Sequence, residues 1–195
     1  MTTTTAPRPT TTRPTLEQRL LTSSLLVAPV CFLAADTTYA ARGWEDATAG
    51  VLHVLASIVY ALVFLRVAAW LRPASRLRAA IVAVGLVGMA GSVAYGFDTI
   101  HMSLGDAQLV DQPGAANLIK PLGLFFPLAL ALVAVALVRL GAHWQGGLVL
   151  LAALGWPVGH IANLAPLCVA VNVVLVLGFG TLLWQQPVPE ADGTA

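Results

Sequence analysis

Between Leu140 and Pro189 the chain carries no Asp, Glu, Lys or Arg. As a single helix that run would be about 75 Å long, against a bilayer hydrocarbon core of about 30 Å. It is too apolar to cover a water-soluble surface and too long to cross a membrane once, so it has to fold back. The polar and helix-breaking residues between His160 and Pro166 mark the turn, giving spans over 144–161 and 166–184. The same reading gives four spans upstream, over 20–41, 47–71, 77–102 and 120–140. Lys120-Pro121 opens the fourth, because proline is favoured in the first turn of a helix. The expected fold class is therefore all-α, a polytopic transmembrane bundle of six spans. One domain covers 20–184, between a Thr- and Pro-rich tail over 1–19 and a short polar tail over 185–195. The first 14 residues cannot bury a core and are expected to be disordered.

Composition agrees with this class. Only 10% of residues are charged and 58% are hydrophobic, where soluble domains carry about 25% charged residues. A net charge of +1 with no basic run gives no footprint for nucleic acid; the partner this composition demands is the lipid bilayer. Arginine outnumbers the single lysine, Lys120, nine to one, a bias suggesting a GC-rich bacterial genome and hence the bacterial cytoplasmic membrane. Two cysteines, Cys31 and Cys168, lie far apart in apolar segments with no CxxC spacing. Buried free thiols are the default, and a disulfide is the alternative if both lie in one leaflet. The first span also allows a signal-peptide reading, with Arg19 as the charged flank; its length favours a membrane span.

Orientation follows from the basic residues in the connections. Arg8, Arg13, Arg19, Arg66, Arg72, Arg76, Arg78 and Arg139 fall on the side of the N-terminus, and only Arg42 and Lys120 on the other. Eight against two predicts both termini in the cytoplasm. Asp36, His53, Asp98, His101, Lys120, His160 and Asn163 then all lie toward the extracytoplasmic side, with Asn172 about two turns into the sixth helix.

The third span holds a row of small residues, Gly85, Gly88, Gly91, Ser92 and Gly96, which permits close helix approach. It ends in Tyr95, Asp98 and His101, three apart and expected to share one face. Ionisable groups inside a membrane are expensive, which singles them out. Structural roles compete with function at each position: a carbonyl-bonded imidazole at His53, interfacial groups at Asp36, Asp98, His101 and His160, interhelical bonding at Asn172. Their common side favours a shared polar pocket. In it Asp36, Asp98 and His101 are the candidate acid–base catalytic groups, and His53, Lys120, Asn163 and Asn172 the candidate ligand-binding ones. His53 and His160 are candidate metal ligands, to zinc or axially to haem b, although a pocket without a cofactor is the leading expectation. The sequence contains no HExxH, no HxxxH, no Gly-rich nucleotide loop and no recognisable serine nucleophile.

Three stretches carry a resemblance: AGVLHVLAS in the second span, FFPLALALVAVALVRLG in the fourth and WPVGHIANLA closing the fifth. In these the chain resembles the small six-helix membrane proteins abundant in GC-rich bacteria. The resemblance implies the topology and carries no catalytic motif. The function expected on these grounds is binding of a small ligand or lipid in an accessory or sensing role. A membrane-embedded enzyme using the Asp/His cluster is the alternative: metal- or haem-dependent, or working by acid–base chemistry as membrane isoprenoid cyclases do. A small transporter ranks third, since repeats and paired broken helices are lacking.

Overall fold

The computed structural model describes residues 14–185 and 187. The side chains of Val110, Ala116 and Lys120 fall outside that description, as does the stretch 1–13 for which disorder is expected. Six helices form, and no strand occurs among the described residues. Helix α1 (Leu16–Arg42) starts at Thr15, whose hydroxyl accepts the Gln18 amide while the Gln18 side chain accepts the Thr15 amide. That reciprocal pair satisfies two donors that a helix start leaves open. Helix α2 (Ala47–Ala69) is capped by the Asp46 carboxylate, which accepts the Ala49 amide at 2.9 Å. Then come α3 (Arg76–Ser103), α4 (Phe125–Arg139), α5 (His143–Ile161) and α6 (Ala165–Gly180). Short 3-10 turns fill much of the connection between α3 and α4, and one extends α6.

Five of these segments are long and apolar enough to cross a membrane. The chain thus has the make-up of a multi-pass membrane protein. The segment left out is α5, where Gln145, the Gly146-Gly147 pair, Pro157 and His160 dilute the apolar residues. Yet Leu151 and Leu154 on α5 are more than half exposed, as are Leu55 and Ile58 on α2. Apolar surface of this extent fits lipid contact.

The helices pack in chain order into a closed ring, with α6 returning to α1. Four of the five connections are short, which makes the helices they join antiparallel. The contacts of Gly88 with Phe126 and of Gly91 with Gly123 run α4 antiparallel to α3 as well. Aromatic rings fill the middle: Phe32 stacks on Phe126 at 5.5 Å, and Tyr60 meets both edge-on at 5.2 and 5.0 Å. The small-residue row of α3 is used on two sides. A Cβ at Gly88 would stand 2.5 Å from the Phe126 amide nitrogen, and one at Gly91 would overlap the Gly123 backbone. Gly96 instead meets the Gly50 carbonyl of α2, and Gly85 the Phe64 ring. Glycine thus lets α3 wedge between two neighbours.

Alternation sorts the polar residues by end. Asp36, His53, Asp98, His101 and His160 sit where α1, α3 and α5 finish and α2 starts. Arg19, Arg66, Arg76, Arg78, Arg139 and His143 sit at the opposite end, where Arg66 lies 5.2 Å over the Trp70 ring.

Candidate ligand cavity

At the first of these ends the ring encloses a cavity of about 590 Å³. His53 and His160 reach it from α2 and α5, Ser92 and Tyr95 from α3, and Trp156 from α5. The α1–α2 turn contributes Trp44 and Glu45, and the α3–α4 connection Gln108, Pro121 and Gly123.

His160 owes its place to how α5 is built and ended. Trp156 lies one turn earlier on the same face, and its indole stacks on the imidazole at 4.1 Å and 17°. Nδ1 of His160 lies 3.0 Å from the Trp156 carbonyl oxygen. A carbonyl only accepts, so Nδ1 carries the proton and Nε2 points the other way, 3.4 Å from Asp36 Oδ2. Helix α5 then stops in a Schellman-type turn. Asn163 takes the left-handed conformation, φ 53°, and the Leu164 amide returns to the Gly159 carbonyl at 2.7 Å. Asparagine tolerates that conformation better than most residues, which gives Asn163 a structural reason to be at the cavity rim.

Asp36 is fully buried behind His160. The Asn172 amide of α6 donates to its Oδ2 at 2.6 Å and also to the Cys168 carbonyl. Cys168, one turn before Asn172, places its sulfur 3.5 Å from His160 Nδ1. Tyr39 of α1 donates its hydroxyl to Thr99 at 3.3 Å, tying α1 to α3, and stacks on Trp44 at the mouth.

His53 differs from His160. It too is fully buried, with its ring edge-on to Phe32 at 4.6 Å and 4.9 Å from Tyr95. Neither ring nitrogen has a hydrogen-bond partner among the described residues. Its ring centroid is 6.4 Å from that of His160. The hydroxyl of Ser92 and the indole N–H of Trp156 are likewise buried without partners.

The expected residues therefore separate into groups. His53, His160 and Asn163 line the cavity, and Asp36 and Asn172 stand directly behind it. Asp98 is buried, but its carboxylate accepts the Leu109 amide and so fastens the α3–α4 connection. His101 is exposed and pairs with Asp106 at 3.0 Å. The single face expected for Tyr95, Asp98 and His101 is not formed: Tyr95 lines the cavity, Asp98 meets the connection and His101 faces outward. Each three-residue step falls about 60° short of a full turn, so the second step rotates His101 well away from Tyr95. The Lys120 side chain lies outside the described residues. Cys31 and Cys168 are both free thiols, so the disulfide alternative is not realised.

Trp44, Trp156 and Tyr39 belong to the site without having been singled out, and Cys168 was read only as a buried thiol or a disulfide partner. In an apolar sequence each passes for ordinary packing. The usable signals were the four-residue spacings from Trp156 to His160 and from Cys168 to Asn172.

Fold and cavity together define a multi-pass helical membrane protein with a polar site at one end of its bundle. No family model matches the chain, and no curated protein or solved structure is significantly similar to it.

Proposed function

We propose that this protein crosses the bacterial cytoplasmic membrane six times with both termini in the cytoplasm, and binds a small amphipathic molecule in a cavity open to the extracytoplasmic side. The eight-to-two distribution of basic residues supports the orientation. Lipid-facing leucines on α5 support the sixth span.

One observation carries the binding role: His53 lines the cavity with both ring nitrogens buried and without a partner among the described residues. A buried polar group left unpaired costs about 1–3 kcal/mol. Two such nitrogens beside the Ser92 hydroxyl and the Trp156 N–H make sense where a bound molecule completes them. A ring or chain lying against Trp44, Met102, Leu124 and Ile161 would supply its apolar part. The ligand is thus a compact molecule with an apolar body and a polar head able both to donate and to accept. An accessory or sensing role follows most directly, since Asp98 and His101, two of the three candidate acid–base groups, are engaged elsewhere.

The test is retention of small molecules by protein purified in mild detergent. Mass spectrometry of the extract should show a species bound to the wild-type chain and lost in His53→Leu. The variant should stay folded, because an apolar replacement removes two unsatisfied nitrogens. An identical extract from both proteins would overturn the binding role of His53.

A further inference from the structure

Behind the cavity wall, Asp36, His160 and Cys168 bring a carboxylate oxygen, an imidazole nitrogen and a thiol sulfur within 4.8 Å of one another. We propose that these three side chains form a divalent-cation site of the zinc class. This ligand set is distinct from a His53–His160 pairing, and it does not depend on what fills the cavity.

The first argument is a shortage of donors. The Nδ1 proton of His160 goes to the Trp156 carbonyl. Nε2 then points toward Asp36 Oδ2, 3.4 Å away with no hydrogen bond between them, and in the neutral ring it offers a lone pair there. Asp36 Oδ1 and Asn172 Oδ1 are also buried and accept from nothing among the described residues. With the ring neutral, Nε2 and the Asp36 carboxylate are acceptors facing each other in an apolar bundle, and they repel unless positive charge lies between them. A cation held between Nε2 and the carboxylate supplies that charge.

The second argument is orientation. A metal-bound histidine ordinarily donates its other ring N–H to a carbonyl or carboxylate, which fixes the tautomer. His160 does this through Nδ1, and the Trp156 indole stacked on its face holds the ring plane. On the opposite side Asn172 fixes the carboxylate of Asp36. Both ligands are thus held by partners of their own before any ion arrives.

The third argument is charge and softness. A dication with one carboxylate and one thiolate sums to zero, the only balance that is cheap in a membrane interior. Thiolate, imidazole and carboxylate together suit zinc, and a thiolate disfavours magnesium and calcium. His160 borders the cavity, so the ion has a route in from solvent.

Cobalt(II) is the probe, with the full chain purified in detergent, stripped by a chelator and reloaded. We expect about one cobalt per chain and a near-ultraviolet thiolate-to-cobalt charge-transfer band. Cys168→Ser should lose the band, Cys31→Ser should keep it, and Asp36→Asn should weaken zinc binding by about tenfold or more. X-ray absorption at the zinc edge of the reloaded wild-type chain gives a reading free of variants, with one sulfur expected among nitrogen and oxygen ligands. Failure to take up stoichiometric metal, a band that survives Cys168→Ser, or a sulfur-free zinc shell would each overturn the site and leave a buried imidazolium–carboxylate pair.

Discussion

Asp36 accepts the Asn172 amide at 2.6 Å in surroundings where the described residues offer few other donors. That isolation sets what its removal does. Asp36→Leu removes one of the two acceptors of the Asn172 amide, which keeps the Cys168 carbonyl, and is expected to destabilise the bundle by about 0.5–1.5 kcal/mol. Asn172→Leu leaves the buried carboxylate without that donor and is expected to cost about 1–3 kcal/mol. The double variant should cost less than the sum, since removing both partners leaves an apolar contact between α1 and α6. Detergent-denaturant unfolding of the four proteins checks this, and strict additivity would mean that the bond contributes nothing. Polar residues in apolar segments are the part of the site most legible from sequence, because burying them is expensive and so needs a reason. Asp36, His53, His160 and Asn172 were found that way. Cys168 and Trp156 were not, because nothing in their chemistry objects to a lipid interior. Asp98 shows the opposite error: its cost is met by the Leu109 amide, a partner in a connection whose path the sequence does not reveal.

At the scale of elements, α3 brings its backbone close to both neighbours through its small residues, and these make the sharpest test. Gly88 abuts the α4 backbone, whereas Ala83 and Ala90 are exposed. Gly88→Leu must separate two helices and is expected to cost roughly 1–3 kcal/mol or more. Ala83→Leu and Ala90→Leu add apolar surface toward lipid and should change the unfolding midpoint little. Equal effects at all three positions would mean that the glycine row does not set the α3–α4 distance. Helix limits were readable within a few residues wherever proline, arginine or a capping side chain marks them. The start of α4 was not. A span from Lys120 was expected, yet Lys120–Leu124 forms a 3-10 turn and the α-helix begins at Phe125. Gly123 lies there against Gly91 of α3, a contact between helices that no local propensity encodes.

For the whole molecule, uncharged runs and base-rich connections specify a membrane bundle, but not how it closes. Helices α1 and α6 meet through Asp36 and Asn172, 136 positions apart in the chain, and α6 is otherwise so apolar that Asn172 is its main hint of which face turns inward. Orientation and the status of α5 share one experiment. In a background without native thiols, single cysteines replace Arg42, Ala74, His143 and Ala162, all exposed and all in or beside the connections. Arg42 and Ala162 lie at the cavity end, Ala74 and His143 at the arginine end. If arginines hold their end in the cytoplasm, an impermeant maleimide added to intact cells labels the first pair, and the second pair reacts only after permeabilisation. The reverse pattern would turn the cavity toward the cytoplasm and change which molecules can reach His53. Cysteines at His143 and Ala162 reacting from the same side would mean that α5 does not cross, leaving five spans and the two termini on opposite sides of the membrane.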